Sequence, residues 1–556
     1  MLESFLLLKL NRGIWVALLN EEKIIEGIRY FEDYRDNLVL ASRNLKLKSE
    51  AHKELTKSKI IFIQILNKLA SKYYDAENYS DALKCYTALF KYEQHNIENI
   101  KKYIECLKKA EQYDLVIDLV KYLEILQPDN IEIYKLLSEM YGNENNNAKA
   151  VFYIQKYIDI KGEANCNAQD YNLLGCMYDK LYSQDTHNIN DGEKSLEAFY
   201  KANELDENNY RYLSNIIIML TKLNENNLAK KYWDILIKNH KLNNSDKFNY
   251  AYFCLKTKDF KNWHKYFDTR FVREYNPTPF PKLKKEKWNG KKDISNSTVL
   301  IHSEQGFGDT FLMWGYIDRI VKLAKKVIVV VQDETYELFK HTNPDIEVIS
   351  KNRFKEADIE YDYYIPFMSL PTVLKVDIAN ISVGENYIEV RQTLIDEYKE
   401  KYFNNKKLKI GLSISGSKSG NQTRDIPLNT IAKLDKLKDV EFYILTKDIQ
   451  DKDLTIFKKN RITNLAKEFK NFEHTAAAIK NMDLVITTDN CIMNLAGGLG
   501  IKTFALFNWH YEPRWFDLSG ENIVWLTSVK PFVNDKMDNW DYSINNIIQS
   551  INKILQ

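Results

Sequence analysis

Self-similarity at a period of 34 residues constrains the fold of this chain more than any other feature of its sequence. Set Leu69-Ala70, Tyr73, Ala82, Tyr86 and Leu89 against Tyr103-Ile104, Leu107, Val116, Val120 and Leu123, and every offset is 34. Adding 34 again gives Leu137-Ser138, Tyr141, Ala150, Ile154 and Tyr157. A fixed period of this length means one helical unit stacked on copies of itself, each burying a face that its neighbour supplies. Small residues on the first helix of a unit (Ala70, Ser138, Gly175) and on the second (Ala82, Ala150, Ala229) let the two helices approach, and large residues fill the groove to the next pair.

These positions, with Pro128 after the second unit, resemble the tetratricopeptide repeat family. A fourth unit keeps Leu174-Gly175, Tyr178, Ser195, Phe199 and Ala202, with a polar insertion in SQDTHNIND expected to form an enlarged loop between its helices. A fifth has Leu213, Leu220, Ala229 and Trp233, and a looser sixth has Ala251, Leu255, Trp263 and Phe267. Residues 1–60 are helical by apolar spacing but out of register, so they read as a cap on an array spanning 61–275. Solenoids offer a concave surface to extended peptides or protein partners, and the array is expected to dock a protein acceptor.

Lys plus Arg (79) nearly cancel Asp plus Glu (77), which removes the overall basic field that would point to nucleic acid. The six cysteines include no C-x-x-C pair and read as reduced core thiols. No stretch reaches the ~18 uncharged apolar residues of a membrane span, so the expected location is cytoplasmic.

From about residue 275 the texture changes. A proline-bearing connector, NPTPFPKLKKEKWNGKKD, gives way to short apolar runs: STVLIHS, KVIVVVQ, KLKIGLSIS, VEFYILT, DLVITTD and TFALF. Alternation of such runs with helical patterns predicts parallel sheets covered on both faces. Two clusters, 276–394 and 395–556, fit two Rossmann-like lobes, the architecture of a GT-B glycosyltransferase.

Three segments carry chemistry. In the turn Glu304-Gln305-Gly306-Phe307-Gly308-Asp309, the glycines are expected to allow tight turning and close ligand approach, and Asp309 either caps the following helix or reacts. In the loop at 411–428, Ser415, Gly416 and Ser417 offer amides and hydroxyls to phosphate oxygens, with Lys418 and Arg424 as cations; the alternative is a solvated polar loop. After strand DLVIT, Thr488, Asp489 and Asn490 lead into a helix whose free amides suit a pyrophosphate without a metal; Asp489 is alternatively its N-cap.

In this order, KWNG (287–290), EQGFGDT (304–310), RDIPL (424–428), DLVITTDNCIMNLAGGLG (483–500) and EPRW (512–515) resemble the family 9, heptosyltransferase-like glycosyltransferases, above all those fused to tetratricopeptide repeats. The resemblance covers about residues 280–550. It implies a nucleotide-sugar donor, no cofactor or metal, and Asp309 as general base, with Arg424 on the donor diphosphate or sugar. It also assigns Asp489 to Gly497, including Asn494 and Leu495, to the donor loop, and brings Glu304 and Arg514 into the cleft. Asn494 departs from the pattern, which usually has histidine there. By the same resemblance the acceptor is a surface protein such as flagellin. The alternatives are a lipopolysaccharide or other surface glycan, or a scaffold whose lobes have lost catalysis.

Overall fold

The computed structural model describes the chain apart from residues 1–14, 20–22, 44–47, 187, 275–276, 280–281, 417–423, 448, 450, 457–460, 510–512 and 537. It falls into two compact units, Met1–Lys238 and Asn239–Gln556. No helix among the described residues is long and apolar enough to cross a membrane, and the six cysteines form no disulfide.

The first unit is an α solenoid. A long helix, Lys48–Asp75, is followed by Tyr79–Phe90, Ile97–Lys109, Tyr113–Leu126, Glu132–Asn143, Asn147–Lys161 and Ala168–Lys180, each packed on the next. The small positions are where the helices meet: Ala70, Ala82, Ser138, Ala150 and Ala229 are fully buried. At Gly175 a Cβ would lie 2.5 Å from the Phe199 ring. The hydroxyls of Ser138 and Ser195 give their hydrogen bonds to the backbone oxygens of Ala150 and Gly175, at 2.7 and 2.8 Å. A polar atom at the tightest crossing is thereby satisfied.

The turn inside each hairpin also recurs. Glu77, Glu111, Asn145 and Asn224 all have positive φ, near 60°. The following amide reaches back to a carbonyl five residues earlier, as in Asn78 to Tyr73 (2.8 Å), Gln112 to Leu107 (3.0 Å) and Asn146 to Tyr141 (2.9 Å). This is the Schellman closure of a helix, here without glycine. The fourth hairpin departs from it. The insertion expected to be a loop is instead mostly helix: Leu181–Thr186 continue the preceding helix as a π-helical segment, and Ile189–Leu205 begins almost at once. Tyr182 is buried, and Asp179 takes hydrogen bonds from Ser183 (3.0 Å) and Lys222 (2.5 Å). Ser183 is thus served on a helix surface rather than in a loop.

The second unit opens on one more hairpin, Asn244–Lys256 and Phe260–Tyr266, turned at Lys258 with the same positive φ. Two parallel sheets follow. The first contains β1 (Glu286–Lys287), β2 (Thr298–His302), β3 (Lys326–Val331), β4 (Ile346–Ser350) and β5 (Tyr363–Pro366), in the order β1-β5-β2-β3-β4. The second contains β6 (Leu408–Ser413), β7 (Val440–Ile444), β8 (Ile462–Asn464), β9 (Leu484–Thr488), β10 (Thr503–Phe507) and β11 (Val529–Val533), in the order β11-β10-β9-β6-β7-β8. β3, β9 and β10 are buried on both faces almost throughout, as their unbroken apolar runs require. The C-terminal helix Trp540–Leu555 lays Ile544, Ile547 and Ile551 on the second sheet's core. KWNG is a corner: Gly290 has φ +77°, and any Cβ there would run into the Val373 carbonyl. Each sheet is a Rossmann-like lobe.

Candidate functional site

Strand order locates the site. From β2 the chain runs outward to β3 and β4, then returns to the other side at β5; from β6 it runs to β7 and β8, then returns at β9. Each lobe therefore has a topological switch point, where the loops leaving two neighbouring strands diverge and open a crevice at the carboxyl ends. The three chemistry-bearing segments leave β2, β6 and β9, the strands beside the two switch points.

In the first lobe, β2 leads through Ser303–Gly306 into the helix Phe307–Trp314. Asp309 lies in its first turn, and Gly306 occupies the cap position. Asp309 is therefore not the cap; its Oδ1 accepts a hydrogen bond from Arg514 Nη1 at 3.2 Å, with both side chains about one fifth exposed. Gln305 is exposed and its carbonyl accepts from Gln332 (2.8 Å). Glu304 is fully buried, accepting from Arg270 (2.8 Å) and from the Met368 amide (3.1 Å). Burial pushes its carboxyl above the usual range, against the pull of Arg270.

The two glycines differ: at Gly306 a Cβ would come no nearer than 3.9 Å to Asp309 Oδ2. Neither has positive φ. Gly308 is small because another helix lies against it: a Cβ would fall 2.9 Å from Asn494 Nδ2 and 3.3 Å from Cys491 Cα. The close approach it permits is between two helices.

In the second lobe, the helix Cys491–Gly498 follows β9, and its cap is Asn490, whose Oδ1 takes the Ile492 amide at 2.8 Å. The Asn490 amide donates to Ser413 Oγ (3.0 Å), the Ser415 carbonyl (2.9 Å) and Thr488 Oγ1 (3.2 Å), fastening the ends of β6 and β9 together. The alternative in which Asp489 caps this helix is thereby removed. Burial raises the Asp489 carboxyl, while Arg424 and Arg514 pull it back down. Arg424 donates to the Asp489 carbonyl at 2.8 Å. Gly416 gives its amide to Asp425 Oδ1 (3.1 Å), an acid that sequence reasoning passed over. Ser417 and Lys418 lie outside the described residues.

Asn494 is buried and donates across the cleft to the Gly308 carbonyl at 3.0 Å. Leu495 is interior, and Gly497 lies under Leu526, whose Cδ1 a Cβ would meet at 2.8 Å. The lobes also meet through Phe472, whose ring sits 4.9 Å from Phe307 and 5.0 Å from Phe311. Asp309 from one lobe and Asp489, Arg424 and Arg514 from the other thus lie close together where the lobes meet. Among the described residues no group of three His, Cys, Asp or Glu side chains is placed to hold a metal ion.

No family model and no curated protein matches the chain. Among solved structures it is similar to a family 9 glycosyl transferase from Veillonella parvula DSM 2008, at 13% identity and a TM-score of 0.38, over 48% of this chain and 99% of that one. It is also similar to MamA from Desulfovibrio magneticus RS-1, at 16% identity and a TM-score of 0.28, over 32% of this chain and 94% of that one. A third is PilF of Pseudomonas aeruginosa, at 11% identity and a TM-score of 0.29, over 37% and 90%.

Proposed function

We propose that this chain is a glycosyltransferase that moves a sugar from a nucleotide-sugar donor to a hydroxyl on a protein such as flagellin, which the solenoid docks. The observation that carries this reading is the quartet: a carboxylate in the first turn of one lobe's helix meets Arg514 of the other lobe, beside Asp489, whose backbone carbonyl Arg424 holds just ahead of a helix start. Arg514 holds one oxygen of Asp309. The other oxygen takes the acceptor hydroxyl proton as the acceptor oxygen attacks the anomeric carbon in a single inverting displacement. Arg424 and the start of the Cys491–Gly498 helix stabilise the diphosphate as it leaves, in a metal-independent reaction.

The test is Asp309→Asn, with turnover and donor binding measured on the same folded preparation. An amide cannot accept the proton, so turnover falls by roughly 10²–10⁴. Donor affinity holds, because the diphosphate site belongs to the other lobe. Wild-type turnover in this variant would take Asp309 out of the mechanism.

A further inference from the structure

The last helical hairpin keeps the period of the solenoid, yet it is compact with the α/β lobes, inside Asn239–Gln556. Its contacts lead to both ends of the Asp309–Arg514 pair. The Asn244–Lys256 helix packs on the Pro513–Trp515 turn that carries Arg514. At the other end, the Phe267–Phe271 turn sends Arg270 into the switch point between β2 and β5.

The Arg270 side chain is 1% exposed and Glu304 is wholly buried. Arg270 Nη2 reaches Glu304 Oε1 at 2.8 Å and Ser369 Oγ at 2.9 Å, while Nη1 pairs with Asp268. Lys287 closes the network on Asp268, and the Ser369 hydroxyl donates to Asp268 Oδ1 at 2.7 Å. The guanidinium lies over the rings of Phe271 (4.1 Å) and Phe267 (4.5 Å). Glu304 begins the turn that ends in Asp309. Burying the Arg270 and Glu304 charges together is costly unless each is paired, and here they pair with each other, with partly exposed Asp268 and Lys287 completing the network.

Resting on the transferase reading above, we infer that this hairpin is a working part of the active site and that Arg270 is a positioning residue, holding the Glu304–Asp309 turn while the hairpin's first helix holds the turn of Arg514. The hairpin is then a brace for the reacting groups rather than a docking repeat.

The test uses the full chain, with amide exchange as a readout independent of activity. In Arg270→Met, exchange of the Ser303–Asp309 peptide rises by roughly tenfold or more while that of β9 and β10 is unchanged. Turnover falls by roughly tenfold or more with donor Kd within about twofold, because a displaced base costs rate and not donor binding. Arg270→Met/Glu304→Gln removes both charges together, so it folds even if the single variant does not, and it stays slow because the anchor is gone. Unchanged exchange and turnover in either folded variant overturns the inference. So does a double variant that cannot fold, since Arg270 then serves the core alone. A wild-type chain without turnover on any sugar nucleotide sinks the transferase reading, and the exchange experiment still decides whether Arg270 holds the turn.

Discussion

His302, the last residue of β2, offers a quantitative check on the core beneath the Glu304–Asp309 turn. It is 2% exposed, its ring edge-on to Phe354 at 5.5 Å. Burial, helped by the nearby Lys351 charge, pushes its pKa down to about 4. The unfolded chain takes up this proton near the ordinary value of ~6.5, whereas the folded chain resists until about 4, so acid favours unfolding between those limits. The stability contributed by neutral His302 is thus fully present above that window and lost as pH falls through it. Between pH ~7 and pH ~4.5 the loss is roughly 2–3 kcal/mol. Other groups titrate over the same range, so the measurement is a comparison with His302→Phe, which keeps a ring of similar size and cannot titrate. In thermal unfolding of the second unit, the acid-induced drop in Tm should be smaller in the variant by roughly 4 °C. Equal drops in the two proteins would show that His302 carries no such penalty and would refute the argument.

Other perturbations read the solenoid. Glu111→Gly relieves a non-glycine residue held at φ 56° and should stabilise the first unit by about 0.5–1 kcal/mol in thermal or urea unfolding, the left-handed cost less glycine's entropy. Gly175→Ala puts a methyl 2.5 Å from the Phe199 ring and should destabilise by about 1–3 kcal/mol. Adding Phe199→Leu should recover part of that loss, a double-mutant cycle that locates the clash.

The legible parts of this fold were those with a period or an unbroken apolar run. β2, β3, β6, β7, β9 and β10 stand out as short runs that are mostly apolar and mostly buried, with Lys409 and Glu441 only partly exposed where they interrupt β6 and β7. β4 was missed because Glu347 interrupts it at an exposed position, and β11 because Pro531 tolerates only an edge, which is where β11 lies. The hairpins were legible and their inner turns were not, since Glu, Asn and Lys stand where glycine would announce a left-handed residue. The insertion after Tyr178 looked like a loop because polar residues dominate it, whereas a helix surface accepts them equally well.

In the site, the segments following β2, β6 and β9 could be picked out as strand-to-helix turns. Their meeting at two switch points is a property of strand order, which no local pattern encodes. The cap fell one residue from the expected acid because Asp489 and Asn490 are adjacent and both suited to the role; only the hydrogen bonds of Asn490 decide it. Arg270 was hidden by the period itself, which assigned its hairpin to the array.

The boundary at Lys238 separates the unit of repetition from the unit of exchange. In the hairpins ahead of it each helix packs chiefly on its neighbours, which is the condition for units to be lost, duplicated or swapped. The hairpin behind it is bound to the lobes by Arg270 and by the helix on the Pro513–Trp515 turn, and recombination that carried it away with the array would leave the lobes with a buried acid and no cation to meet it. Descendants of such a chain that acquire new arrays should therefore differ freely up to about residue 238 and keep their last hairpin with the lobes.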